Sequence, residues 1–203
     1  KSGNIVVANS ASLSTNSAGS VGLLVQSISG GGGYIAITGT SANNDILIGS
    51  KGEFESTAGF VTVNNTANAI TTSGNYSPAL VAQSVGGGGG YALINAGGTG
   101  TKGLGATNNN KGSANSGDVT VMNGAILYTK GSYSAALTAQ SIGGGGGSGG
   151  AVTSAASGGG NASYSAGAGF SMGGSGGSGA SGNRVTLQNG PSDTLTVVTS
   201  GTG

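Results

Sequence analysis

The sequence predicts an all-β fold, a β-solenoid or β-helix built from 57-residue Gly-rich repeats with ordered polyglycine segments. One short apolar stretch occurs three times, and each copy runs into a row of glycines, as residues 79–85 do before residues 86–90. Its glutamine stands at Gln26, Gln83 and Gln140, so the interval is 57 residues both times. A fixed period of this size is typical of a stacked repeat fold. No stretch has the 3.6-residue periodicity that predicts an amphipathic helix.

The composition fits a thin, hydrogen-bonded β core. Glycine accounts for 47 of the 203 residues, and only 35% of the chain is hydrophobic. A chain this poor in apolar residues resembles a disordered one, but disorder normally goes with high net charge, and the net charge here is +1. We therefore favour an ordered solenoid over a disordered chain. The six Lys and Arg residues are scattered, which predicts no nucleic-acid partner because phosphate binding needs grouped cations.

The residue types that usually carry chemistry are missing. The chain has no cysteine and no histidine, so it offers no disulfide, no thiolate metal site and no imidazole base. No apolar run approaches the roughly 20 residues of a membrane helix, so we expect no membrane insertion of this segment. We predict that the protein is not an enzyme and uses no cofactor.

Each repeat predicts the same order of short elements. A strand that alternates aliphatic residues with Thr is followed by an Asn-rich turn, a second apolar element, a Tyr-Ser pair, the central strand, the glycine run and another strand. The predicted repeats cover approximately residues 4–60, 61–118 and 119–184, and a fourth starts at 185–203. We interpret the whole as a single array within a longer protein. The polar ends, residues 49–58 and 97–117, are expected to be thin coils or surface excursions.

The central strand predicts which side chains enter the core. The position occupied by Leu23, Leu80 and Leu137 does not vary, so we place it inside. The next position holds Leu, Val81 and Thr138, and this variation suggests an outward face. The aliphatic residue that follows the Ser, Val85 in the second copy, then has the wrong parity, which predicts a bend or bulge.

The recurring glutamines have two interpretations. They could form an amide ladder along the stack, or each could be solvated at a corner. A ladder needs copies about 4.8 Å apart in neighbouring coils. A 57-residue repeat that holds two or three coils would separate them, which favours the solvated corner.

The glycine runs also have two interpretations, flexible loops or ordered segments. Their similar lengths and shared flanking sequence favour order. We predict that the run with Gly86 and Gly88 lies beside the run with Gly143 and Gly145, extended like polyproline II, and that this contact sets the stacking.

Three further motifs are weak. Asp45, before a short aliphatic strand and a glycine, resembles one unit of a calcium-binding nonapeptide repeat, but no second unit exists to share the ion. Glu53 and Glu55 are better explained as solvated charges than as a glycosidase pair. The glycine spacing of residues 98–103 matches a dinucleotide loop but lacks the helix that such a loop needs, so we attribute it to chance.

The unit Val-Thr-Val, Asn-rich turn, Tyr-Ser, Ala-Leu-x-Ala-Gln-Ser-Ile/Val and glycine run resembles the Gly-rich repeats of large bacterial autotransporter passenger regions, most closely at residues 119–150. The resemblance implies a stalk secreted by the type V route and held at the cell surface by a C-terminal outer-membrane barrel of the same parent chain. It implies adhesion to host or abiotic surfaces, biofilm or fibre formation, or self-association. It assigns no catalytic or binding residues.

The alternative function is that of an ice-binding protein or another flat-faced solenoid that binds a lattice. The outward threonines Thr62, Thr120 and Thr186 could form a repetitive surface. Each strand offers only one of them, however, without the Thr-x-Thr doublet that such a face would prefer.

Overall fold

The chain forms a structure of short parallel strands stacked in sheets. A computed structural model describes residues 1–39, 46–48, 57–96, 102–104, 114–143, 146–151, 161–163, 170–172, 181–190 and 197–199. In these ranges the protein is all-β and contains no helix, as the sequence predicts.

The described residues form 18 strands. In chain order they are β1 (Ile5–Asn9), β2 (Leu13–Thr15), β3 (Leu23–Ile28), β4 (Gly32–Gly39), β5 (Ile46–Ile48), β6 (Val61–Asn65), β7 (Ala69–Thr72), β8 (Leu80–Val85), β9 (Gly89–Ala96), β10 (Lys102–Leu104), β11 (Val119–Asn123), β12 (Ile126–Thr129), β13 (Leu137–Ile142), β14 (Gly146–Ala151), β15 (Asn161–Ser163), β16 (Phe170–Met172), β17 (Val185–Asn189) and β18 (Val197–Thr199).

These strands belong to five sheets, which we call A to E in the order in which the chain first enters them. Sheet A has the order β1-β6-β11-β17, sheet B β18-β12-β7-β2, sheet C β13-β8-β3, sheet D β15-β14-β9-β4 and sheet E β16-β10-β5. Every strand pairing within them is parallel. This arrangement is compatible with a β-solenoid.

Strand neighbours come from consecutive repeats. In sheet C, Leu23 pairs with Leu80 and Leu80 with Leu137, and all six positions of each strand stay in register. The expectation that two or three coils would separate equivalent residues is therefore wrong. The interval is not the same everywhere, because sheet A neighbours are 56, 58 and 66 residues apart. Extra residues thus lie in the connections and leave the strand register unchanged.

Sheets A, B and C enclose one apolar core. Val61 and Val63 of β6 point into it, whereas Thr62 between them is only partly buried, as the alternation predicts. Ile70 of β7 and Leu80 of β8 complete this level of the core, and both are fully buried. The inward position predicted from the invariant leucines is confirmed, since Leu23 and Leu137 pack against the same cluster.

In the third repeat, the strand β12 is shifted by one residue from the position that aligning its sequence with that of β7 would suggest. Leu127, not Ile126, pairs with Ile70. Leu127 is fully buried and Ile126 is exposed. The strand period of two explains this outcome, because a shift by one residue moves every side chain to the opposite face.

The prediction that Val81 points outward to solvent is wrong. Val81 lies on the opposite face of β8 from Leu80, yet it is 0% exposed and packs with Tyr76 and Tyr91 in a second apolar cluster. Its neighbour Thr138 is half-buried and hydrogen-bonds to Tyr91. Sheet C is therefore covered on both faces, by the first core on one side and by sheet D on the other.

The predicted bulge in the central strand is also wrong. The register of β8 with β3 and β13 runs without interruption to Val85. Val85 lies on the same face as Val81 and is fully buried. Its parity only looked wrong because one face of the strand was expected to meet solvent, and a strand buried on both faces carries apolar residues at both parities.

The repeat ends are more structured than expected. Lys102–Leu104 form β10, which pairs with β5 and β16 in sheet E. Ala58 and Ala114, at the far ends of the two polar stretches, are buried beside a β-bridge between Thr57 and Asn115. For Ala58, Ala114 and Ser116, which are buried, the expectation of surface excursions is wrong, and residues 49–56, 97–101 and 105–113 lie outside the described residues.

We predict that Val81→Ala lowers the free energy of unfolding by about 2 kcal/mol, because it removes two methyl groups from a fully buried site. Val6→Ala is the matched control, since Val6 lies on a strand of sheet A with 70% of its side chain exposed. Denaturant titration of both variants measures the difference. Equal, small effects would place Val81 at the surface and contradict the two-sided burial of sheet C.

Candidate functional site

The three recurring glutamines form a ladder along sheet C. Gln26 Nε2 donates to Gln83 Oε1 at 2.7 Å, and Gln83 Nε2 donates to Gln140 Oε1 at 2.6 Å. Gln83 is 0% exposed. The ladder interpretation is therefore confirmed, and the solvated corner is not what the chain adopts.

The same amides connect sheet C to the glycine strands of sheet D. Gln26 Nε2 also donates to the carbonyl of Gly33 at 3.3 Å, and Gln83 Nε2 to that of Gly90 at 3.2 Å. A buried amide left without partners is unfavourable, and here the donors and acceptors satisfy each other. The three glutamines thus fix the register between neighbouring strands of sheet C. Their bonds to glycine carbonyls also fix the distance between sheet C and sheet D.

A serine column ties sheet C to the chain that enters sheet A. Ser84 Oγ donates to the carbonyl of Gly59 at 2.8 Å and accepts from the backbone N–H of Gly117 at 2.7 Å. Ser141 repeats this one level on, donating to Gly117 O at 2.8 Å and accepting from Asn183 N at 2.8 Å. Each serine hydroxyl therefore bonds to two backbone groups at equivalent positions in consecutive repeats, and so links these repeats to each other.

A second amide ladder was not predicted from the sequence. Asn9 donates to Asn65, Asn65 to Asn123, and Asn123 to Asn189, with Nδ2–Oδ1 distances of 2.8, 2.7 and 2.7 Å. The sequence predicts a turn at these asparagines, yet Asn65 and Asn123 are buried at the ends of their strands. The signal was present, because each asparagine stands two residues after the second inward aliphatic of its sheet A strand.

The glycine runs are partly ordered as predicted. Gly89 and Gly90 pair with Gly32 and Gly33 on one side and with residues 146–147 on the other, so the runs lie side by side. Gly86 N donates to Ile142 O at 2.8 Å. The residue after Ile142, Gly143, is described, but Gly145 lies outside the described residues.

The predicted polyproline II conformation is wrong. Four consecutive glycines, residues 87–90, have φ values of 77, 90, 127 and 140°, and residues 30–33 follow the same course at 83, 89, 136 and 144°. Polyproline II would require φ near about −75°. Residues with a Cβ rarely adopt such positive angles, so conformation alone demands glycine here.

Close backbone approach is a second reason for glycine. A Cβ on Gly90 would lie 1.9 Å from Gly33 O, and one on Gly32 would lie 1.9 Å from Gly89 O. A Cβ on Gly86 would lie 2.5 Å from the carbonyl oxygens of Ala114 and Asn115. Adjacent repeats therefore contact each other directly through the main chain.

Two pairs of tyrosines also stack, one outside the glycine strands and one within β4 and β9. Tyr76 and Tyr133 stack with their ring centroids 5.2 Å apart, and both adopt a positive φ at the place where the first repeat has Gly19. Tyr34 and Tyr91 stack at 6.4 Å. Burial, followed by the neighbouring Tyr91, raises the pKa of Tyr34 to about 12. Burial also raises the pKa of Tyr91 to about 12, against the opposing hydrogen bond from Thr138.

The weak chemical motifs remain predictions. Asp45, Glu53 and Glu55 lie outside the described residues, as does most of the stretch 98–103. In the part of the chain that the structure describes, no three acidic residues come together as a metal site. The same part contains no helix that is long and apolar enough to cross a membrane.

The chain was compared with known families, curated proteins and solved structures, and the functional argument below rests on its own structure. No known family, curated protein or solved structure matches the chain.

We predict that Gln83→Leu destabilises the protein by about 2 kcal/mol or more, because it removes the bonds that Gln83 makes to Gln26, Gln140 and the Gly90 carbonyl and takes away the donor that Gln140 Oε1 accepts in the ladder. Gln188→Leu is the control, since Gln188 is exposed on β17. Thermal or denaturant unfolding compares the two. A stable Gln83→Leu protein would show that apolar packing, rather than the ladder, holds sheet C together.

We predict that Gly88→Ala destabilises by more than about 1 kcal/mol, because φ is 90° at Gly88. Gly124→Ala is the matched control, since its new Cβ would meet only Asn65 O at 3.6 Å. That change is expected to be neutral or slightly stabilising. An unfolding midpoint of Gly88→Ala at or above that of the wild type, with fast amide exchange through residues 86–90, would show that this glycine run is a flexible linker and not an ordered segment.

We predict that the contribution of Tyr34 and Tyr91 to stability is constant up to about pH 10, the ordinary pKa of tyrosine, and is lost between about pH 10 and 12. The fold raises the pKa of Tyr34 and Tyr91, so it binds their protons more tightly than the unfolded chain does. That contribution is complete below the unfolded pKa and is lost as the pH rises through the folded one. Unfolding midpoints across this range measure the loss. Tyr34→Phe should reduce the fall of the unfolding midpoint with pH. If the midpoint of this variant falls as steeply as that of the wild type, Tyr34 is not a source of the pH dependence.

Proposed function

We propose that the chain is a segment of a β-solenoid in which each 57-residue repeat forms one coil, and that it works as a non-enzymatic structural and adhesive stalk on a bacterial surface. The observation that carries the proposal is the ladder from Gln26 through Gln83 to Gln140. It makes each coil the template for the next, so an array of such repeats grows along one axis.

The use of polar side chains supports a structural role. The side chains of the glutamine, asparagine and serine columns bond to their counterparts in neighbouring repeats or to backbone groups. Groups committed in this way hold the stack together and are not directed toward a substrate. The resemblance to autotransporter passenger repeats supports the setting, an extracellular stalk tethered by a C-terminal barrel of the same parent chain.

A stalk must resist force along its axis, and the stacking suits that demand. Separating one coil from the next breaks the parallel hydrogen bonds of several sheets together with the Gln, Asn and Ser contacts. These bonds act in parallel, so no single contact carries the whole load.

Force spectroscopy tests the proposal. When the protein is pulled by its termini, each rupture should release one coil of about 57 residues. At roughly 3.5 Å for each extended residue, the contour length then grows by about 200 Å at each step. Gln83→Leu should lower the rupture force, while Gln188→Leu should not. Extension without force peaks, or release of the whole length in one step, would contradict a coil-by-coil stalk.

The lattice-binding alternative has one observation in its favour. Thr62, Thr120 and Thr186 lie in register on the outer face of sheet A. The column begins with Val6, however, and the adjacent outward column consists of Ala8, Asn64, Met122 and Gln188. Such a surface does not repeat. Thermal hysteresis and shaped ice crystals in the presence of the protein would support this alternative. If neither is observed, ice binding is contradicted and the stalk remains the proposed function.

A further inference from the structure

Two tyrosines keep a backbone conformation that glycine would adopt more easily. Tyr76 has a φ of 57° and Tyr133 a φ of 56°, and the first repeat has Gly19, with a φ of 71°, at the same place. The left-handed conformation is unfavourable for a residue with a Cβ, and strain of this kind is kept where a side chain has a use. The strain therefore points to a use for these two side chains.

The rings of Tyr76 and Tyr133 form the tighter of two tyrosine stacks. Their planes differ by 2° and their centroids are 5.2 Å apart. In the other stack, the planes of Tyr34 and Tyr91 differ by 19° and the centroids are 6.4 Å apart. The hydroxyl of Tyr34 also donates to a backbone carbonyl, which holds its ring in place. Of the two stacks, the rings of Tyr76 and Tyr133 are thus better placed to react with each other.

Glycine flanks this pair in the sequence. Four threonines pair in register in sheet B, namely Thr15, Thr72, Thr129 and Thr199. The residue four positions after each threonine is, in turn, Gly19, Tyr76, Tyr133 and Gly203. The two tyrosines are therefore a single pair in the sequence, and not part of a longer aromatic run.

We propose that Tyr76 and Tyr133 are an oxidative cross-linking site, at which a one-electron oxidant joins two consecutive repeats through a dityrosine bond. The stacking supplies the geometry, because it holds two phenol rings parallel and close together. Both rings project from turns, one between β7 and β8 and the other between β12 and β13. They can slide together without breaking the strand pairing. The proposal does not depend on an adhesive role.

The reaction balances with two equivalents of the oxidant. Each phenol loses one electron and one proton and becomes a phenoxyl radical. The two radicals join through a new bond between the ring carbons next to the carbons that bear oxygen, and the hydrogen on each bonded carbon moves as a proton to a phenoxyl oxygen. Both rings are then aromatic again, and the product has two hydrogen atoms fewer than the two tyrosines. The oxidant takes up both electrons, and water takes up both protons.

The composition directs such an oxidant to tyrosine. The chain has no cysteine and no tryptophan, the other side chains that readily give up a single electron. A radical on either stacked ring has its coupling partner in the same chain, one repeat away. Tyr128, by contrast, lies beside Lys130 and belongs to neither stack.

The test exposes the full chain, at low protein concentration, to light, tris(bipyridine)ruthenium and persulfate, which together form a small one-electron oxidant. Dityrosine fluorescence is expected in the monomer, with a yield that does not depend on protein concentration. Cleavage after lysine separates the two tyrosines, because Lys102, Lys111 and Lys130 lie between them. Mass spectrometry should therefore find two fragments joined through Tyr76 and Tyr133, with the loss of two hydrogen atoms.

A pair of variants locates the site. Tyr133→Phe removes one reacting phenol but keeps a ring that can stack, so the protein should fold and the link should be lost. Tyr128→Phe is the matched control and should leave the link unchanged, since Tyr128 lies in the same repeat with its ring centroid 5.6 Å from Lys130 Nζ. Circular dichroism confirms that both variants fold. A link that survives Tyr133→Phe, dityrosine only between separate chains, or no dityrosine at all would overturn the proposal.

Force spectroscopy gives a second measurement of the link. The cross-link closes a loop of 57 residues (133 − 76) that pulling by the termini can no longer extend. At roughly 3.5 Å for each extended residue, the oxidised protein should be about 200 Å shorter at full extension than the untreated protein. An unchanged full length would contradict the link. A shortened protein without stepwise force peaks would contradict the stalk alone.

Discussion

The structure depends on one constraint, the in-register parallel stacking of equivalent residues from consecutive repeats. Identical amides can bond along such a stack because each side chain offers both a donor and an acceptor, and a displacement by one residue would break every pair. Gln83 shows the consequence most clearly, since it bonds to Gln26, Gln140 and the Gly90 carbonyl while fully buried. The ladder thereby fixes the register for all the sheets that the chain visits in one coil.

This constraint explains how a chain so poor in large side chains stays ordered. The apolar core between sheets A, B and C is narrow and consists mainly of Val, Leu, Ile and Ala. Buried polar columns replace part of the usual apolar burial. The glutamines and asparagines bond to their own copies, and the serines bond to backbone groups of neighbouring strands. Glycine lets the strands of sheet D approach closely and adopt positive φ, and the stacked tyrosines Tyr76 and Tyr133 adopt the same left-handed conformation where the first repeat has Gly19.

Much of the fold could be predicted from the sequence, and the failures have physical reasons. The Val-Thr-Val strand, the inward leucines and the side-by-side glycine runs follow from period-two alternation and a fixed interval. The burial of Val81 could not be predicted, because alternation shows that two faces exist but not that a second sheet covers one of them. The direct pairing of Leu23 with Leu80 could not be predicted for a related reason. Strand lengths alone do not reveal that strands of sheets D and E lie between equivalent strands of consecutive repeats.

Polar residues whose partners lie in distant strands of the stack were the hardest to predict. Asn65 and Asn123 have the composition of turn residues, and their ladder becomes visible only when strands 58 residues apart are aligned. The serine column, too, depends on a glycine about 25 residues away in sequence. In both cases the partner is set by the stacking and not by local sequence, so local rules miss it.

The central claim, one coil for each 57-residue repeat, can be tested by the distance between Thr62 and Thr120. The chain has no cysteine, so spin labels can be attached at cysteines introduced at these two positions alone. Their strands are direct neighbours, and the labelled backbone positions should be about 4.8 Å apart. The account predicts strong spin–spin interaction in the doubly labelled protein, well beyond the sum of the two singly labelled spectra. A separation of about 10 Å or more, the distance that two or three coils in each repeat would impose, would contradict it.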